Sequence, residues 1–152
     1  MAMRIYLVVM DETAEARKAL RFAARRAART GGSVHILAIV PQLSFNAFGS
    51  VQATIEQEAQ EKAEVLANSE AGNIFAETGK RPTITVRQGD PQRVIRSYID
   101  EHGEVAALVL AASAESGPGP LVAHFSAAAG TLPCPVYIVP GGLSNAAIDE
   151  LA

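Results

Sequence analysis

The sequence predicts a single-domain, three-layer α/β sandwich built on a five-stranded, mostly parallel sheet. Three observations carry that prediction. Five short apolar runs read as strands, four helical patterns alternate strictly with them, and four of the five runs are apolar almost throughout. Strict alternation implies parallel strands joined by right-handed crossovers. Near-continuous apolar runs are what strands covered on both faces require. At 152 residues the chain is long enough for one such domain with a real core.

The first strand is Ile5–Met10. A helix over Glu12–Thr30 follows, with Ala16, Ala19, Leu20, Ala23 and Ala27 at helical spacing and Gly31-Gly32 to stop it. The second strand is Val34–Val40, and after the loop Pro41–Ser50 a long polar helix spans Val51–Phe75, with a break predicted near Gly72. The third strand, Thr83–Gln88, alternates: Ile84 and Val86 oppose Thr83, Thr85 and Arg87, the pattern of an edge. Asp90-Pro91 starts a helix over Pro91–His102, the carboxylate capping free amides and the proline fitting the first helical position. The fourth strand is Val105–Ala111, a short helix covers Leu121–Thr131, and the fifth strand is Val136–Val139. The domain occupies 1–140. The tail, 141–152, reads as disordered or as a short helix with Ile148 and Leu151 as weak anchors.

Composition narrows the function. A net charge of −3 gives no support to nucleic-acid binding. The longest apolar runs fall well short of the roughly 20 residues of a membrane span, and Ile5–Met10 is too short for a signal-peptide core. The expectation is a soluble, cytoplasmic protein. Cys134 is the one cysteine, set between two prolines, and reads as inert core. His35, His102 and His124 show no metal-ligand spacing, so no metal is expected. No nucleophile–base motif is visible, and Ser113 and Ser116 read as turn residues.

In a sheet of this kind a ligand binds at the carboxyl ends of the strands, where the winding reverses. Met10-Asp11, Val40-Pro41, Gln88-Gly89 and Ala111–Ser113 fall there. Several stretches now combine. Val8-Val9-Met10-Asp11 ends the first strand, Gly31-Gly32-Ser33-Val34-His35-Ile36-Leu37 opens the second, and Gly89-Asp90-Pro91 precedes the third helix. Leu108-Val109-Leu110 lies in the fourth strand and Leu132-Pro133-Cys134-Pro135-Val136 leads into the fifth. In this order, over residues 4–140, the chain resembles the universal stress protein family. The resemblance implies the adenine nucleotide alpha hydrolase-like sheet order 3-2-1-4-5.

ATP-binding members of that family resemble one another in a motif after the fourth strand: Gly-x-x-Gly, nine residues, then Gly-Ser or Gly-Thr. Here Ala112 and Glu115 stand at the two glycines and Val122-Ala123 at the pair, with about three residues fewer between them. The chain instead has Gly117-Pro118-Gly119-Pro120, whose prolines offer no amide to a phosphate. Of the nucleotide pattern, Asp11 and Val40 remain, at positions that the resemblance places near ribose and adenine. Asp11 reads equally as a helix cap. The candidate cleft residues are Asp11, Val40, Gly89, Ala112, Ser113, Gly117 and Gly119. The resulting expectation is a non-catalytic stress-response module without a resident cofactor, binding ATP weakly or not at all. The alternative is a nucleotide-binding regulator (ATP or AMP) that uses the cleft at the ends of strands 1 and 4. An enzyme acting on a nucleotide-like substrate has the least support.

Two further features concern contacts. Arg17, Arg21, Arg25 and Arg29 recur every fourth residue, and with Lys18 and Arg26 against Glu12 and Glu15 the first helix carries +4. The second holds Glu56, Glu58, Glu61, Glu64, Glu70 and Glu77 against Lys62, a charge of −5. Both crossovers wind to one side of the sheet, so the two helices are predicted to face each other at least in part. A basic patch for an acidic protein partner and a solvated face are the other readings. Phe45 and Phe48 sit in the loop after the second strand, where they can cover the cleft or pack on the body. The fifth strand is an edge whose four residues, Val136, Tyr137, Ile138 and Val139, carry no charge. Family members commonly pair this strand across a two-fold axis. The resemblance thus implies a homodimer centred on Tyr137 and Ile138, with Pro133–Pro135 close by; the other possibility is a monomer whose tail covers that edge.

Overall fold

A computed structural model describes residues 4–42 and 49–152. Five parallel strands form one sheet in the order β3-β2-β1-β4-β5: β1 Ile5–Met10, β2 Ser33–Val40, β3 Thr83–Gln88, β4 Val105–Ala112 and β5 Val136–Pro140. Tyr6 of β1 lies beside Val34 of β2 and Ala107 of β4. The side chains sort into two layers by strand alternation. Val8, Ile36 and Val109 face one layer, and Leu7, Leu37 and Leu108 face the other. All six are fully buried, which is why these strands read as continuous apolar runs.

On the first face lie α1 (Ala14–Thr30), α2 (Gly49–Thr78) and α5 (Asn145–Leu151); on the second lie α3 (Pro91–Glu101) and α4 (Pro120–Ala128). The predicted sandwich and winding are thus present. Helix α1 buries alanines at the predicted spacing and ends at Gly31, whose φ of 71° is the left-handed cap that glycine adopts freely. Helix α2 runs 30 residues without a break at Gly72. That position is half-buried and its absent Cβ would meet nothing. The cost of about 1 kcal/mol for a helical glycine is small against the burial of Ala67, Ala71 and Ile74 around it. Asp90 caps α3 by accepting from Arg93 N at 3.2 Å, with Pro91 in the first turn. After α4 a 3₁₀ turn occupies Ala129–Thr131, where the sequence predicts continuing helix.

The tail is ordered and helical. Ser144 caps α5, accepting from Ala147 N at 3.1 Å. Ile148 is fully buried among the first-face residues, whereas Leu151, the other predicted anchor, is 65% exposed. The basic stripe of α1 finds carboxylates on two elements. Arg17 meets Glu70 at 2.8 Å, and Arg21 and Arg25 approach Glu77 at 3.9 and 3.7 Å, so the stripe does face α2. Glu61 and Glu64 lie nearer the start of α2 and accept from Gln57 and Gln60. The sequence reading missed the second partner. Arg21 holds Asp149 of α5 through two hydrogen bonds of 2.7 Å, Arg25 adds a third at 3.2 Å, and Arg29 donates to the carbonyls of Asp149 and Ala152.

Candidate functional site at the switch between strands 1 and 4

The winding reverses between β1 and β4, and a cleft of about 430 Å³ opens there at their carboxyl ends. Three helix starts converge on it. Thr13 caps α1, accepting from Ala16 N at 3.3 Å. Asp11 is therefore not the helix cap. It stands one step behind, its Oδ1 accepting from the amide of Thr13 at 2.8 Å and from the Thr13 hydroxyl. This arrangement fixes the capping residue and turns the chain from β1 into α1. Asp90 brings in the start of α3, and Gly119 precedes α4 without a side-chain cap.

The floor of the cleft is apolar, formed by Val9, Leu110 and Ala111. Its charged wall residues are Asp11, Glu15 and Asp90, and neither lysine nor arginine is among the described residues that line it. Pro118 and Pro120 take the place of two amide donors beside Gly119. No histidine or cysteine is among the described residues that line it. Cys134 is buried elsewhere, in the second-face core, where desolvation pushes its thiol pKa up.

Among the predicted site residues, Asp11 and Gly119 form part of this wall. Val40 lines a separate groove of about 510 Å³ on the other side of Asp11, together with Ala38 and Lys62. Lys62 is held 2.7 Å from Glu12. Gly89, Ala112, Ser113 and Gly117 stand beside the cleft, outside its described walls. Gly89 N donates to Val40 O at 3.0 Å, tying the ends of β2 and β3. Ser113 Oγ accepts from Glu115 N at 3.3 Å and so closes a turn. The Ala112 carbonyl is taken by Gly141 N at 2.8 Å. Glu15, Thr13 and Asp90 were missed as wall residues. The caps were legible as helix starts, but nothing in their spacing shows that they share one cleft. Phe45 and Phe48 lie outside the described residues.

At the far edge of the sheet, β5 pairs with β4 alone among the described residues. Of its four predicted contact residues, Ile138 is exposed, Val136 and Tyr137 are half-buried, and Val139 is buried. Tyr137 packs on Phe22 of α1, ring centroids 5.4 Å apart. Helix α5 lies against α1 on the first face.

A doubly wound parallel sheet with a cleft at its switch point defines a class of α/β ligand-binding domains. Within that class the comparisons are specific. The model of the universal stress protein family matches residues 3–140, and the chain belongs to that family. No curated protein matches the sequence. Among solved structures, the universal stress protein UspA from Lactobacillus plantarum is similar at 18% identity and TM-score 0.78, with 91% of this chain and 97% of that one covered. The universal stress protein from Archaeoglobus fulgidus in complex with dAMP is 20% identical, TM-score 0.56, covering 91% and 99%. A universal stress protein family protein from Arabidopsis thaliana with AMP bound is 18% identical, TM-score 0.57, covering 91% of each. At these identities the likeness establishes the fold. No described helix is long and apolar enough to cross a membrane.

Proposed function

We propose that this universal stress protein is a non-catalytic regulatory module of the cytoplasm that acts as a homodimer, and that its cleft does not hold a triphosphate. The observation that carries the reading is the charge of the cleft wall. Three carboxylates and no lysine or arginine line it among the described residues, and the undescribed residues 43–48 contain neither cation. A triphosphate needs opposite charge or converging amides; here the three carboxylates oppose the dipoles of the converging helix starts, and two of the loop positions are prolines. Dimerisation is supported by the unpaired, uncharged β5 edge, at which Ile138 is 42% exposed.

A nucleoside monophosphate is the second reading. The relatives with dAMP and AMP favour it, as does an apolar floor suited to a base. Purifying the protein, denaturing it and analysing the released small molecules by mass spectrometry separates the two. Recovery of no nucleotide supports the first reading, and recovery of AMP in near-stoichiometric amount favours the second. Light scattering tests the dimer: Ile138→Lys is expected to give monomer where the wild-type chain gives dimer, since a lysine buried in a strand pair lacks a partner charge. A monomeric wild-type chain at tens of micromolar contradicts the assembly.

A further inference from the structure

The end of the sheet opposite the cleft brings together two histidines and a buried tyrosine. Tyr98 of α3 is 2% exposed, and its phenol oxygen lies 2.7 Å from Nδ1 of His35 in β2. A hydroxyl buried to this degree needs a hydrogen-bond partner, and a neutral imidazole supplies one by accepting the phenol proton at Nδ1. His102 ends α3. Its Nδ1 donates to the Tyr98 carbonyl at 2.9 Å, and its ring stacks on the Tyr98 ring with centroids 4.0 Å apart. The centroids of the two imidazoles are 6.1 Å apart.

The charged groups around His35 come from three elements. Arg87 of β3 sets its guanidinium 5.0 Å over the Tyr98 ring and pairs with Glu101 of α3 at 2.8 Å. His102 closes α3, and Glu104 follows in the turn to β4. Lys80 approaches the Gly32 carbonyl on the opposite face of the sheet. A second proton on His35 makes Nδ1 a donor. The phenol must then accept, and its own hydrogen is left in buried surroundings without the acceptor it had. The imidazolium is also half-buried beside a second histidine. Burial, and then His102, push the His35 pKa down, while Glu104 pulls it up.

We propose that His35, Tyr98 and His102 form an acid-sensitive latch, which holds the last turn of α3 on β2 while His35 is neutral and releases it when His35 is protonated. With α3 released, His35 titrates at its ordinary value of 6.5; docked, it titrates lower. The latch therefore holds fully above pH 6.5 and weakens as the pH falls from there toward the docked pKa. Each unit between the two values is a roughly tenfold change in the docking equilibrium. The helix so held is the one whose first turn, at Asp90 and Pro91, walls the cleft.

Histidine ring NMR from about pH 8 to about pH 5, with hydrogen exchange at the amides of Ile99 to His102, tests the latch in the full chain. His35 is expected to titrate below its ordinary value. Exchange in the last turn of α3, corrected for its intrinsic pH dependence, is expected to accelerate as His35 titrates. Tyr98→Phe removes the phenol that needs an acceptor, so the His35 pKa should rise. His35→Gln keeps an acceptor that does not titrate and should flatten the pH dependence of exchange, which decides the matter even where the Tyr98 variant does not fold. An ordinary His35 pKa in the wild-type chain overturns the latch. So does corrected exchange that is independent of pH, or that keeps its pH dependence in His35→Gln.

Discussion

Replacing Ile148 with alanine separates an integrated tail from an appended one. Ile148 is fully buried in the first-face core, the cluster that also holds Val139 and takes in the half-buried Tyr137 and Leu143. Deleting three carbons at such a site costs about 2–5 kcal/mol when the surroundings stay in place. They need not stay in place here. Helix α5 is seven residues long, and a helix of that length has no stability of its own. It is held by the buried Ile148, the Ser144 cap, the Arg21 and Arg25 clamp on Asp149, the Arg29 bonds to the carbonyls of Asp149 and Ala152, and a Lys18–Asn145 hydrogen bond. The loss is thus limited by the docking free energy of α5, and undocking becomes an alternative to an open cavity. A loss of about 3 kcal/mol lowers Tm by roughly 6–12 °C for a chain of this size. Urea unfolding gives the free energy, and carboxypeptidase digestion reports whether α5 has left its seat. A loss below about 0.5 kcal/mol with unchanged digestion would refute the claim that α5 belongs to the fold.

Two other substitutions probe the same corner of the molecule. A Cβ on Gly141 would lie 2.4 Å from the Ala112 carbonyl oxygen, a backbone atom, and 3.0 Å from Glu15 Cβ; Gly141→Ala should therefore destabilise by about 1–3 kcal/mol in urea, and an unchanged midpoint contradicts the close packing. Hydrogen bonding from Arg21 holds the Asp149 carboxyl below the usual aspartate range. A lowered native pKa gives stability that is present above the ordinary aspartate value and lost as pH falls through the native one. Asp149→Asn should accordingly show a shallower loss of stability than the wild-type chain on acidification below about pH 4, followed by thermal unfolding at each pH; parallel curves contradict the clamp.

The sequence carried the fold because its signals were local. Ile5–Met10 and Val105–Ala112 are buried on both faces, and a run without polar interruption states that directly. Asp90-Pro91 announces α3 through cap chemistry contained in two adjacent residues. What was not legible depends on distance along the chain. Arg21 and Asp149 are 128 residues apart, and His35 and Tyr98 are 63 apart. No spacing rule connects them until the sheet is assembled. Gly72 misled because a helical glycine is a weak local penalty, and the burial on either side of it outweighs that penalty. At the cleft, the Gly-Pro-Gly-Pro loop and the carboxylate at Asp11 were both visible beforehand. The convergence of Glu15 and Asp90 on the same space follows only from the meeting of three helix starts.

Isothermal titration with ATP and magnesium addresses the central claim most directly, because that claim rests on the electrostatic character of one cleft. The wall of Asp11, Glu15 and Asp90 repels a polyphosphate, and the prolines beside Gly119 remove amides that a phosphate would use. The account predicts no measurable heat of binding at micromolar protein and a dissociation constant no tighter than millimolar. A micromolar dissociation constant with one site per chain contradicts it, and would mean that the Gly117–Pro120 loop supplies phosphate contacts in an arrangement other than the one described.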